Sequence, residues 1–503
     1  MLTRRDFLKI CNASAVAGTL SGLLVRSAYA ADSQEKLNIL WLDTEDLSPD
    51  LGCYGAPPPC EAIARAQMVQ TPNIDRLAGE GVRFTKAFVT GPVCSASRSA
   101  VITGMYQTSI GAHHHRSNRQ NPLPANVKLA THYLREAGYF TCNGQALTDG
   151  KTGKLDYNFK MPFEEAFDGT DWGQRKADQP FFAEVHFSEA HRAFQRDPDN
   201  PIDPDDVELP PYYPDHPIAR RDWALYLETI QNLDKKVGKI LQRLEDEGLA
   251  DNTVVFFWGD HGRAMVRGKQ FLYEGGIRIP LIVRWPGRIE PGTVNDELVS
   301  TIDLAPTWMT IAGIDVPDHM QGKVLPELDA HGRDYIFAAR DRCDETDDRI
   351  RCVRTKQYKY IRNFFPERPY TYFNAYKKRQ YPVLTLMEVL HAKGELTPAQ
   401  ERFMAPTRPE EELYDLQNDP YEIHNLAGNP EYHEILVELR GKLDAWIEET
   451  GDQGEIPEDE EVAAYWDRQA AESFAKGMRA NGLEPDATPE EYLAWWERKL
   501  NEM

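Results

Sequence analysis

An α/β fold, with a mostly parallel central sheet and a smaller antiparallel α+β subdomain behind it, follows from three features of the 503-residue chain. Short apolar runs alternate with amphipathic helix-length stretches up to about residue 330. One of those runs ends in an acidic cluster and another in an acid and an imidazole. Strands of an open parallel sheet deliver ligand-binding groups from that end. After residue 330 the alternation gives way to closely spaced strands and turns.

In chain order, LNILWL (37–42) reads as a buried strand ending at the acids of 44–46. TPNIDRLAGEGVRFTKAFV reads as a helix stopped at Gly79 or Gly81 and then a strand. NVKLATHYLREAGYFTCN repeats helix, glycine, strand, and PFFAEVHFS (180–188) is another strand. WALYLETIQNLDKKVGKILQRLEDEGLADN has apolar residues at three- and four-residue spacing, so a long amphipathic helix is expected. NTVVFFWGDHG (252–262) is a buried strand with an acid and an imidazole at its tip, and PLIVRWPG is one more. YIFAARDRC, RIRCVRTKQYKYIRNF and ELYDLQNDP supply the antiparallel strands. From Thr450 the chain is acidic and then helical, with TPEEYLAWWERKL placing Pro at a helix start and Trp495 and Trp496 as anchors on the body. The resulting division is 1–30 leader, 31–330 main α/β domain, 331–450 α+β subdomain and 451–503 acidic helical extension.

Bulk composition narrows the function. A net charge of −23 argues against non-specific nucleic-acid binding, which needs a basic face. It leaves room for an anionic small substrate in a local basic pocket. Residues 3–9 carry Arg4-Arg5 with Phe7 and Leu8, a weakly apolar Ala/Gly-rich stretch follows, and Ala28-Tyr29-Ala30 is a small-x-small cleavage site. This is a twin-arginine export signal cut after Ala30, so the Tat translocase is a partner and the mature chain is periplasmic or secreted. Its apolar stretch is too short and weak for a membrane anchor, and no other run could span one, so the mature form has no membrane partner. Six cysteines remain after cleavage, with Cys53–Cys60 and Cys343–Cys352 as locally plausible disulfides; spacing alone fixes no connectivity.

Chemistry concentrates at three places. Cys94 opens a small, polar stretch that continues as a helix, which puts the thiol near a helix N-terminus where thiol pKa falls. A buried packing thiol is the bland alternative. Glu45 and Asp46 end the first strand, and Asp260 and His261 end a later one. Meeting at one point, they suggest a divalent cation: oxygen ligands favour calcium or magnesium, and a histidine admits manganese. Taken singly, each is a cap or a surface acid. Arg98 is one helical turn from Cys94, and Lys154 and Lys269 follow segments ending near the same edge. Alone, each lysine is a solvated charge.

These residues carry a resemblance. C-S-A-S-R (94–98) resembles the signature of the type I sulfatases, in which the cysteine is converted to formylglycine by a maturation enzyme. NILWLDTEDLSPDLGCYG, TPNIDRLAGEGVRFTKAFV, FFWGDHG with Lys269, YEGGIRIPLIVRWPG, STIDLAPTWMTIAGI and ELYDLQNDPYEIHNLA are similar to that family's landmarks, in the same order over residues 37 to 427. The resemblance implies an alkaline-phosphatase-like α/β/α sandwich with a smaller C-terminal antiparallel domain. It implies a hydrolase of sulfate esters on carbohydrates, working with one divalent cation, calcium above all, with Mn2+ or Mg2+ open. A formylglycine-generating maturase is a further partner, and Ala96 in place of Pro points to an oxygen-independent one.

Roles then follow by position. Cys94 resembles the formylglycine precursor, which Arg98 would steady in its hydrated form. Glu45, Asp46, Asp260 and His261 match the metal positions, with Asp43 able to replace Glu45 because both face one side of a strand. Lys154 and Lys269 match sulfate-binding lysines, and His191, in HFSEAHR, matches the general acid that protonates the leaving group. The family usually has His two positions after the first lysine; here Asp156 stands there, and His113, His114 or His115 are the candidates to replace it in binding substrate. Arg342 and Asp344, in the second domain, are candidate sugar contacts. A phosphonate or phosphate ester hydrolase of the same superfamily is the rival enzyme. A silent binder of sulfated glycans, or a cysteine hydrolase, would leave the acids and lysines unexplained.

Overall fold

The computed structural model describes residues 36–55, 69–326 and 332–502. The expected leader, its Cys11 and Cys60 lie outside these residues. Seven strands form the main sheet: β1 (Asn38–Thr44), β2 (Val82–Phe88), β3 (Phe140–Gln145), β4 (Phe181–Phe187), β5 (Thr253–Gly259), β6 (Arg278–Arg284) and β7 (Thr293–Ser300). Their spatial order is β3-β4-β1-β5-β6-β2-β7. β6 alone is antiparallel to its neighbours, so the other six run one way. Buried central strands read as continuous apolar runs because both faces are covered; β1, β4 and β5 are buried at every residue.

The helices cover those faces. They include α1 (Pro72–Gly79), α2 (Cys94–Thr103), α3 (Ala130–Glu136), the 30-residue α4 (Pro217–Asp246) and α5 (Leu304–Ile311). α4 presents Trp223, Leu227, Ile230, Leu233, Val237 and Leu241, an apolar stripe at helical spacing. A ring cluster of Trp41 on β1, Phe182 on β4, Trp258 on β5 and Trp308 on α5 ties the centre together, with ring centroids 4.7–6.2 Å apart. Each such pair adds about 0.5–1.5 kcal/mol beyond its buried area. The cluster also forms the floor of the site: Trp258 Nε1 donates to Asp43 Oδ1 at 3.0 Å, and Asp43 follows Trp41 on the same face of β1.

The second sheet is four antiparallel strands, β8 (Ile336–Arg340), β9 (Ile350–Arg354), β10 (Tyr358–Asn363) and β11 (Glu411–Asp415), in the order β11-β10-β9-β8. Residues from Asn38 onward form one compact unit. Leu436, Leu439, Leu443 and Trp446 of α6 (His433–Thr450) pack on this sheet in a core that includes Ala100 and Tyr106, the end of α2 and its sequel. The extension adds α7 (Glu460–Ala480) and α8 (Pro489–Glu502). Trp496 is buried and Trp495 half-buried, while Tyr492 Oη donates to the Arg379 carbonyl at 3.3 Å.

One pairing suggested by spacing is corrected. Cys343 and Cys352 are both free, buried thiols. Cys352 sits within β9 opposite Ala338, whereas Cys343 lies in the loop after β8 and packs on Val93 and Ala96 at the start of α2.

Candidate active site

Cys94 is the first residue of α2, a helix buried at all ten positions, and it is 1% exposed. Val93 before it is extended, so the thiol leaves the chain at the turn from loop to helix, beside the free N–H groups of the first turn. Its Sγ lies 3.2 Å from His261 Nε2 and 3.5 Å from Lys269 Nζ. Burial alone would raise its pKa; the charges of Lys154 and Lys269 outweigh burial and hold it below the ordinary thiol value.

The tips of β1 and β5 meet here, as the parallel register requires. Asp46 follows β1 in a left-handed conformation, φ 52°, which a non-glycine residue adopts at a cost of about 1–3 kcal/mol. Its amide donates to Asp260 Oδ1 at 2.9 Å, and its Oδ1 lies 3.0 Å from His261 Nε2 and 2.8 Å from Lys269 Nζ. His261 Nδ1 donates to the Gly262 carbonyl at 2.9 Å, which turns Nε2 toward Asp46 and Cys94. Gly262 itself has no room for a Cβ, which would fall 2.1 Å from the Gly275 carbonyl oxygen.

The residues fit a divalent cation. One donor atom each from Asp46, Cys94 and His261 lies within 4.8 Å of the others, all buried. Asp260 stands beside them, and a backbone bond already fixes the imidazole with Nε2 available, the usual arrangement for a histidine ligand. Glu45, read as a fourth ligand, turns elsewhere: Oε1 meets His186 Nε2 at 2.8 Å and Oε2 meets Lys154 Nζ at 2.7 Å.

His186 is the functional-looking residue the sequence reading missed. Its Nδ1 meets Asp43 Oδ2 at 2.8 Å, so one imidazole bridges Asp43 and Glu45. Burial works against its charge, but the two carboxylates raise it to about 9. The signal was present: Glu184 and His186 alternate on one face of an otherwise apolar, fully buried strand. Burial and Asp43 push Glu184 up to about 8. Arg98 fills the space beneath. It is 1% exposed and reaches Asp43 at 2.6 Å, Asp260 at 3.2 Å and Glu184 at 3.4 Å, so it braces the carboxylates from behind.

Other predicted residues divide. His191, near the rim, donates Nδ1–H to the Arg192 carbonyl and turns Nε2 toward Asp46, 3.9 Å away. Of the three adjacent histidines, His115 faces the site: its Nδ1 pairs with Ser95 Oγ at 2.9 Å, and its Nε2 lies 3.9 Å from Asp344. The His113 and His114 rings lie 4.2 Å apart, tilted by 48°, and the charges acting on them belong to Asp341, Arg351 and Glu458 instead. Burial, then His113, pushes His114 down to about 4. Arg342 reaches Glu458 at 3.1 Å and Asp467 at 2.6 Å, in the C-terminal extension and not at the reaction centre. Asp344, also left-handed at φ 54°, borders the site between His115 and Asn374.

A family model described as Sulfatase matches residues 37–314, more than half of the chain. The chain belongs to the sulfatase family. As a sulfatase it is an enzyme that hydrolyses sulfate esters. A further model, N-sulphoglucosamine sulphohydrolase, C-terminal, matches residues 259–383. An ulvan-active sulfatase of Formosa agariphila is 37% identical over 485 residues, covering 86% of this sulfatase and 78% of that one. The N-sulphoglucosamine sulphohydrolase of Homo sapiens is 27% identical over 446 residues, covering 76% and 86%. Among solved structures, a protein in complex with its substrate D-glucosamine-2-N,6-O-disulfate has a TM-score of 0.60 at 18% identity, covering 84% of this chain and 100% of that one. A phosphonate monoester hydrolase of Agrobacterium radiobacter has a TM-score of 0.60 at 19% identity, covering 82% and 96%. Such likenesses show the fold, and the alkaline-phosphatase-like architecture expected from the sequence holds for this sulfatase.

Proposed function

We propose that this sulfatase removes sulfate from a sulfated carbohydrate, with residue 94 carried as formylglycine and a divalent cation, calcium in the first place, held by Asp46, Asp260 and His261. One observation carries the reading. A buried cysteine at a helix N-terminus lies within hydrogen-bond reach of an imidazole and an ammonium group, at the junction of two acid-bearing strand tips. Its named relatives act on ulvan or carry amino-sugar sulfatase names, which supports a saccharide substrate. When bound, the cation supplies positive charge at the sulfate oxygens and favours ionisation of the nucleophile. Formylglycine supplies a hydrated aldehyde, whose second hydroxyl lets sulfate leave after transfer.

The chain's own groups do the rest. Lys269 and Lys154, which Asp46 and Glu45 hold until substrate arrives, turn to offset charge that develops on the sulfate oxygens. His191 delivers a proton from Nε2 to the leaving oxygen, its other nitrogen being fixed by the Arg192 carbonyl. Arg98 and His186 hold Asp43, Glu45 and Asp260 in place without facing the substrate. The twin-arginine leader gives export through the Tat translocase to the periplasm or beyond; among the described residues no helix is long and apolar enough to cross a membrane.

The deciding experiment is the mass of the tryptic peptide Ala87–Arg98 from protein made in its own host. A mass corresponding to formylglycine at 94 is expected. A free thiol there in active native material would overturn the mechanism.

A further inference from the structure

A cavity of about 640 Å3 opens beside the reaction centre, lined by Arg116, Arg119, Lys154, Lys160 and Asp156 over an apolar floor that includes Met161 and Pro162. That size suits a small-molecule site. Four cations stand there against one carboxylate, in a chain whose net charge is −23. Lys154 is the joint between cavity and centre: its Nζ lies 2.7 Å from Glu45 and 3.6 Å from Asp156. Lys160 is exposed and has no carboxylate partner among the described residues.

Asp156 explains how the cations are kept together. It holds a left-handed conformation, φ 46°, and its buried carboxylate accepts from Arg116 Nε and Nη2, at 3.2 and 2.8 Å, and from Arg119 Nη2. A guanidinium has five donors in a planar fork. Asp156 engages two donor nitrogens of Arg116 and one of Arg119, so each fork keeps an edge for a guest. One carboxylate thus gathers two arginines without neutralising both. The arginine fork matches the planar or tetrahedral oxygens of carboxylate and sulfate.

We propose that this cavity is a subsite for a second anionic substituent of the substrate, a carboxylate or a sulfate on the sugar unit next to the ester being cleaved. Arg119 and Lys160 contact it, and Asp156 braces Arg116 behind them. The inference rests on the sulfated-carbohydrate reading above. It makes the enzyme one for polyanionic chains, which an acidic protein would otherwise repel.

The test is calorimetric binding to the full-length Cys94→Ala chain, which binds without turnover. Three disaccharides share one sulfate ester; their neighbouring sugar is neutral, carries a uronate carboxylate, or carries a second sulfate. A charged neighbour is expected to tighten binding by about tenfold or more, as charge-assisted hydrogen bonds do. The advantage should shrink as salt rises. Arg119→Ala with Lys160→Ala should abolish it while moving the neutral disaccharide by less than about threefold. Advantage from the uronate alone or the sulfate alone identifies which anion the subsite takes. Equal affinity for all three, no binding of either charged disaccharide, or an advantage that survives in the double variant overturns the proposal. Parallel assays with the matured enzyme keep the two readings apart. Binding without sulfate release removes the proposed function and leaves the subsite standing; release with equal affinities does the reverse.

Discussion

Two regions of this sulfatase are dense in buried charge, and they are built in opposite ways. At the strand tips Arg98 closes on Asp43 and Asp260 from behind, but in front Asp46 and Glu45 face lysines and histidines, and a sulfur atom stands among them. Where the loop after β8 meets the C-terminal extension, arginines face carboxylates and close on them. Arg351 Nη2 reaches Asp341 at 2.9 Å and Asp452 at 2.8 Å, Arg349 reaches Glu455, and Arg342 reaches Glu458 and Asp467. An arginine fork satisfied by two carboxylates is a finished structure, whereas lysines are movable point charges that can turn to an arriving anion. Charge density by itself therefore marks nothing. A reacting atom among movable charges, with strain at Asp46, marks the first region as the site.

The sharpest break between the regions comes from truncating that atom. Cys94→Ala should lower kcat by at least about 10³-fold, as removal of a nucleophile does, while the melting temperature stays near that of the parent. A variant that kept a tenth of the activity would return Cys94 to the role of a packing thiol. Next in size is Lys269→Ala, expected to cost roughly 10²–10³-fold in kcat if its ammonium offsets charge on the sulfate. Metal content read in the same samples separates this from loss of Asp46 geometry, because Lys269 also contacts Asp46.

In the other region the same kind of cut should act on stability. Arg351 is fully buried, and Arg351→Met leaves Asp341 and Asp452 facing each other without their shared cation. Breaking a buried pair in this way costs about 3–5 kcal/mol, read as a fall in denaturant midpoint, with kcat per folded molecule retained. The pH dependence sharpens this. Burial alone would raise the Asp452 carboxyl; the hydrogen bond and charge of Arg351 outweigh it and hold it below the usual carboxylate range. A carboxyl depressed in the folded state adds stability above its unfolded value of about 4, and that stability is lost as pH falls through the folded value. The stability gap between parent and Arg351→Met should therefore be widest at neutral pH and narrow below about pH 4. A gap that is constant with pH would mean Arg351 acts through packing alone.

How far the sequence disclosed these regions follows from how each is made. β1, β4 and β5 are legible because both faces of each are buried, which leaves a largely apolar run, with acids at the tips of β1 and β5. The reversed direction of β6 is not, because hydrophobic pattern carries no polarity of pairing. β7 passed unnoticed, since an edge strand reading TVNDELVS has an apolar half no longer than a turn. At the site, strand ends and spacing point to Cys94, Asp46, Asp260, His261 and Lys269, and the structure places these five side by side. They do not point to His186, although its register partner on β1 is Asp43, because a polar residue inside a strand gains meaning only once the neighbouring strand is known. His113 and His114 show the converse: a run of three histidines states that the residues are adjacent, not which one turns inward.

The smallest effect is the one that divides the regions most finely. Arg342 was a candidate sugar contact, and the fold places its Nε 3.1 Å from Glu458 and its Nη2 2.6 Å from Asp467, whose side chain is 55% exposed. Nη2 also donates to the Ala463 carbonyl at 3.3 Å, so the guanidinium pins the start of α7. The pair with Asp467 is half exposed and contributes little, while the pair with Glu458 is largely buried, so Arg342→Ala should destabilise the chain by about 2 kcal/mol, less than the loss expected at Arg351. Its kcat/KM should change by less than about threefold, since no reacting group depends on it. A KM raised more than about tenfold with an unchanged melting temperature would mean that Arg342 leaves Asp467 to meet substrate. The closed arginine belt would then be a second set of movable charges, and the extension would belong to the binding surface instead of bracing it.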